Sequence, residues 1–185
     1  MTDNYMTVET TNLEGCSCFS LQSAADIQNG AVVGKGDLIE GEKSIYAALD
    51  AYENDSMFLV ANPAWSYKND SATDQNEEKF INKAGIAFRA YELKPNRKYK
   101  VANLPSAVTL AKGDYVEFKN GAYAKASAAT SLKVVDVEET GFPYCIGSAG
   151  VTITGDTKNE YGYAIETRVT KYTIEVLKAP AKTGA

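Results

Sequence analysis

The stretch Tyr115-Val116-Glu117-Phe118-Lys119-Asn120-Gly121-Ala122-Tyr123-Ala124 decides the class of fold. Two short runs that mix aromatic and aliphatic residues with polar ones flank an Asn-Gly pair. A two-residue type I′ turn needs positive φ at both central positions, and Asn-Gly tolerates it best. The stretch therefore predicts a β-hairpin. Downstream, residues 124–131 are small and without apolar period, which reads as a loop or ragged edge, and residues 132–137 form the next strand. Further on, Tyr163, Ile165, Thr167 and Val169 alternate with polar or small neighbours, and Tyr172, Ile174 and Val176 continue in the opposite phase. A one-residue slip flips every side chain across a sheet, so a bulge or turn is expected near Thr170-Lys171. Upstream, short apolar runs bounded by Gly, Asn, Asp and Pro predict strands over 31–33, 44–49, 57–61, 86–93 and 99–102.

One segment carries a helical signal. Asp74 and Glu77 resemble a capping box, Phe80, Ile81 and Ala84 supply one apolar stripe, and Gly85 offers a C-terminal stop, giving a short helix over 74–83. The Thr- and Asn-rich opening, residues 1–15, reads as an extended N-terminal arm or a peripheral strand. A β-rich body follows over 16–178, divisible into lobes at 16–105 and 106–178, and residues 179–185 form a tail. The expected fold class is mainly β, a β-rich α+β chain: a compact barrel or sandwich of short antiparallel strands with one short helix. Barrel and sandwich give the same strand signals and stay open as alternatives.

Composition narrows the function. With 185 residues, of which 44% are hydrophobic and 23% charged, the chain can bury its own core without a disulfide or metal. Twelve Tyr, with many Val, Ile and Thr, favour pleated surfaces. A net charge of −5 opposes nucleic-acid binding, which relies on Lys and Arg to neutralise phosphates. No apolar run approaches the roughly 20 residues that cross a bilayer, so no membrane partner is expected. The first residues have neither a basic nor a continuous apolar region, which predicts no secretory signal and synthesis in the cytoplasm. Three Cys, an odd number, do not suggest a disulfide framework.

The chain contains no His, the side chain most used for proton transfer near neutral pH and for binding transition metals. Cys16-Ser17-Cys18 plus Cys145 is too poor a set for a tetrahedral zinc site. Gly30-Ala31-Val32-Val33-Gly34-Lys35-Gly36 has glycines and a lysine but not the spacing of a phosphate loop, and reads as a strand entering a turn. Acidic residues at 37, 40 and 42, and at 50, 53 and 55, lack the alternation of a calcium loop and read as solvated turns. The expectation is a protein that is not an enzyme and has no metal, no cofactor and no catalytic residues. Candidate partner contacts are Trp65 and Tyr67, in Asn62-Pro63-Ala64-Trp65-Ser66-Tyr67, and Tyr5 on the arm, since Trp and Tyr supply rigid contact area at small entropic cost. Trp65 plugging the end of the core is the structural alternative.

The order Ile27-Gln28-Asn29-Gly30-Ala31-Val32-Val33, Ser44-Ile45-Tyr46-Ala47-Ala48, Met57-Phe58-Leu59-Val60-Ala61 and Phe80 to Leu93, followed by Lys112-Gly113-Asp114-Tyr115-Val116 and its hairpin, resembles small virion proteins of tailed bacteriophages. The resemblance spans residues 27–137. It implies a capsid decoration, or cement, protein: a virion structural subunit on the capsid exterior, partnered by the major capsid protein and in some members a homo-trimer. In that setting residues 1–15 would be the arm. Another virion subunit, of tail, neck or head fibre, and a carbohydrate-binding module stacking sugar on Trp65 and Tyr67 are the alternative readings.

Overall fold

A computed structural model describes residues 5–13, 15–50, 56–64, 80–102, 104, 109–119, 121–138 and 170–177. The protein is mostly β, with a closed five-stranded barrel and antiparallel sheets. Its strands are β1 (Thr7–Glu9), β2 (Cys18–Gln22), β3 (Ile27–Gln28), β4 (Val32–Leu38), β5 (Ile45–Asp50), β6 (Phe58–Val60), β7 (Ile81–Asn82), β8 (Ala87–Glu92), β9 (Lys98–Ala102), β10 (Tyr115–Lys119), β11 (Ala122–Lys125), β12 (Leu132–Glu138) and β13 (Lys171–Val176). A 3-10 turn, Thr11–Leu13, follows β1.

The barrel runs β2-β5-β4-β6-β8 and closes because β2 pairs with β8 on one side and with β5 on the other. The β2–β5 pair is parallel and the remaining pairs are antiparallel. Alternation places the interior: along β8, Phe88 and Ala90 are buried while Ala87 and Arg89 are exposed, as a period of two requires. Between β4 and β5 the register shifts by one residue, from Lys35 opposite Ala48 to Leu38 opposite Tyr46. The extra residue is a bulge that bends β4. Gly36 sits in it because a Cβ there would stand 3.0 Å from the Leu49 side chain and 3.1 Å from Ala47 O.

The second sheet runs β1-β9-β13-β12-β10-β11, antiparallel throughout. The hairpin pairs Lys119 with Ala122 across a two-residue turn in which Gly121 has φ +77°. Buried alternation is clean along β10, through Val116 and Phe118, and along β9 it runs through Tyr99 and Val101 until Ala102, also buried, ends it. One hydrophobic cluster runs from Leu21, Phe58, Leu59 and Phe88 of the barrel to Tyr99, Val116, Tyr123 and Ile174 of the sheet. A two-stranded ribbon, β3 with β7, lies beside both.

Two expectations are changed or refined. Residues 81–82, at the end of the expected helix over 74–83, are a strand: Ile81 pairs with Gln28 and Asn82 with Ile27. Asn82 is buried and donates through Nδ2 to Ile27 O and Asn29 Oδ1, both at 3.1 Å, interactions that a strand pairing supplies. Residues 74–79 lie outside the described residues. The bulge or turn expected near Thr170-Lys171 would join β13 to residues that lie outside the described ones; β12 carries a bulge of its own, where Val134 faces Ile174 and Asp136 faces Thr173. Residues 163–169 lie outside the described residues. Finally, the opening stretch takes the peripheral-strand form: β1 pairs with β9, and Met6 and Leu13 are buried in the core.

Candidate functional site

Among the described residues the edges of the six-stranded sheet are β1 and β11, and they meet across a seam that residues 27–31 occupy. Gln28, on β3, spans it: Met6 N donates to Gln28 Oε1 at 3.1 Å, and Gln28 Nε2 donates to Gly121 O at 3.3 Å. The side-chain amide thus stands in for a peptide group between two edges. Two residues on, Tyr123 OH donates to Gly30 O at 2.8 Å, which makes Tyr99 the donor in the 3.1 Å contact between the two tyrosine oxygens. Both rings are fully buried. Gly30 has φ +84°, and a Cβ there would stand 3.3 Å from Met6 Cβ, so the close approach of arm and seam depends on glycine.

A cleft of about 310 Å³ opens along this seam. Tyr5 stands at its N-terminal side, Phe118 and Gly121 come from the hairpin, and Val33, Leu49 and Ile81 supply apolar wall. Its polar rim includes Asp26. Lys83 Nζ donates to Asp26 Oδ2 at 2.8 Å and Ala84 N donates to Oδ1 at 2.9 Å. Those bonds, the lysine's first, hold the Asp26 carboxyl below its ordinary value, and the same pairing raises Lys83. The hairpin root repeats the device. Asp114 accepts from Ala111 N at 2.9 Å and pairs with Lys125 at 2.7 Å, which lowers its carboxyl, the lysine again being the larger cause.

A smaller cleft, about 180 Å³, runs along the other part of β1, lined by Thr7, Val8, Thr10, Asn29, Asn62 and Tyr91 among others. At its base, Asn29 Nδ2 donates to Asn62 O at 2.7 Å and Asn62 N returns a bond to Asn29 Oδ1 at 3.0 Å. Open space thus adjoins the N-terminal segment at Tyr5, ahead of β1, and along Thr7 and Val8 of β1 itself.

Of the aromatic residues singled out from sequence, Tyr5 lies half-buried on the larger cleft. Trp65 and Tyr67 lie outside the described residues. Cys16 is half-buried and Cys18 exposed, and Cys145 lies outside the described residues. Among the described residues no three His, Cys, Asp or Glu side chains come together as a metal site. The glycine-flanked Lys35 lies on a strand, with its ammonium 3.9 Å from the Tyr46 ring centre and 4.9 Å from that of Phe19. Cations favour such ring faces. Gln28, Phe118 and Leu49 were not recognisable as cleft residues, because the cleft joins segments distant in sequence, Gln28 and Gly121 being 93 positions apart. No family model, curated protein or solved structure matches the chain.

Proposed function

We propose that this chain is a non-enzymatic virion structural protein, a decoration protein that binds the outside of an assembled phage head and stabilises it. The observation that carries the reading is the seam cleft: an apolar recess with Tyr5 at its side, formed on two rigid β units. Recesses of this kind seat anchor side chains of a protein partner, and aromatic residues beside them contribute most of the contact energy. The texture of residues 27–137 points the same way. A subunit that binds only the assembled shell stabilises it by mass action, as any ligand of a native state does.

The test is to add purified protein to shells that lack it and heat both. Decorated shells should resist heat and low salt better than bare ones, and Tyr5→Ala with Leu49→Ser should weaken binding while leaving the subunit folded. Equal stability of bare and decorated shells overturns the reading. Particle density at the tail, neck or a head fibre would instead assign the chain to one of those parts.

A further inference from the structure

The N-terminal strand is attached to the rest of the molecule in an unusual way. On one side, β1 makes three residue pairs with β9: Thr7 with Ala102, Val8 with Val101 and Glu9 with Lys100. Glu9 also accepts from Lys171 Nζ at 3.0 Å. On the other side, one cleft reaches Tyr5, just ahead of the strand, and another is lined by Thr7, Val8 and Thr10, with the buried Met6 side chain between them. Between them, among the described residues, the side chain of Gln28 reaches the backbone of Met6, and its other end reaches the hairpin tip at Gly121. Elements with few lateral hydrogen bonds and open space beside them are the ones that open locally below the global unfolding free energy.

We infer that Gln28 is a latch and residues 5–9 a releasable strap: when the amide lets go, β1 leaves β9 while the five-stranded barrel stays closed. The barrel has no part in the latch bonds, since its closure runs through the backbone of β2 with β5 and β8. The latch is two-ended. Its carbonyl holds the strap and its NH₂ holds the hairpin, so the two sheet edges report on each other through one residue. Release frees the β9 edge from Lys100 to Ala102, an unpaired row of backbone groups able to take another extended segment.

Hydrogen exchange on the full chain, read by mass spectrometry after proteolysis, tests this. In Gln28→Leu, which keeps the volume and removes both bonds, amides of residues 6–9 and 122–125 should exchange about tenfold faster, as expected for the loss of a net hydrogen bond or two. Amides in β2, β6 and β8 should not change. In Gln28→Glu the acceptor for Met6 N remains and the donor to Gly121 O is lost, so the hairpin should loosen and the strap should not. Uniform acceleration across the barrel and sheet in Gln28→Leu, or none anywhere, overturns the latch. Equal loosening of strap and hairpin in Gln28→Glu overturns its two-ended form.

Discussion

The barrel and the six-stranded sheet solve the same problem by different means. Every barrel strand has two hydrogen-bonded neighbours, so the ring has no edge to protect. Among the described residues the sheet leaves β1 and β11 as edges and brings them together through Gln28, Tyr123 and Gly30. Closure by backbone pairing is indifferent to most single substitutions on the outer face. Closure by side chains depends on individual atoms, and the two halves should therefore respond to mutation in different currencies: volume in the barrel, hydrogen bonds in the sheet.

The largest effect should come from the barrel interior. Phe88 is 2% exposed, and Phe88→Ala removes a ring from a core that cannot fully collapse around the space, at a cost of about 3–5 kcal/mol. Urea denaturation should show the midpoint falling by the corresponding amount. A loss below that of a typical surface substitution would mean that the barrel is less tightly packed than its burial indicates.

A smaller effect should come from one oxygen in the seam. Tyr123→Phe removes the hydroxyl that donates to Gly30 O and contacts Tyr99 OH, in a buried setting where the loss of such a bond costs about 1–3 kcal/mol. Tyr99→Phe removes only the outer donor of the pair and should cost less. Denaturation of the two variants side by side checks the ranking. If Tyr99→Phe were the more damaging, the chain of donors would not run from Tyr99 through Tyr123 to Gly30.

The smallest effect should be electrostatic and confined to the ends of the pH range. Asp26 and Asp114 have carboxyls lowered by their lysine partners and by backbone N–H bonds. The unfolded chain then binds more protons than the folded one as acid is added. Their contribution is present above the unfolded carboxyl value and is lost as pH falls through the lowered folded value. Lys83 is raised, so its share is present below its unfolded value and is lost as pH rises through the folded one. Both carboxylates lie outside the barrel strands. Urea midpoints across acid pH should show a shallow fall that Asp26→Asn and Asp114→Asn each flatten, and an unchanged slope in both would remove these pairs from the acid response.

Local signals in the sequence located the elements well. Asn120-Gly121 between apolar runs marked the hairpin, whose described residues pair as expected, and the runs at 31–33, 44–49, 57–61, 86–93 and 99–102 each contain or overlap a strand. Those signals arise within a few residues. The expectation of a helix through 83 failed at Ile81 and Asn82 because Phe80, Ile81 and Ala84 span little more than one helical turn. A stripe that short fits either period. What completes Asn82 is Ile27 and Asn29, more than fifty residues away. The candidate site was legible only at Tyr5. Gln28 reads as an ordinary polar residue of a turn-rich stretch, and its value comes from the meeting of two sheet edges that no local pattern announces. The parallel pairing of β2 with β5 is hidden for the same reason, since β-alternation does not specify direction.

The position of β13 in its sheet has a consequence for synthesis. The barrel draws only on residues 18–92, so all its strands are available once residue 92 has left the ribosome. The six-stranded sheet is centred differently: β13, the last of the described strands, lies between β9 and β12 and pairs with both. Until residue 176 emerges, β9 and β12 face one another without their bridge, and Glu9 waits for Lys171, 162 positions later. Contacts of such separation form slowly because the loop must close before they contribute. The nascent protein should therefore pass through a stage with a finished barrel and an unzipped sheet, in which the surfaces of Val101, Val134 and Val116 are a chaperone's concern rather than a core.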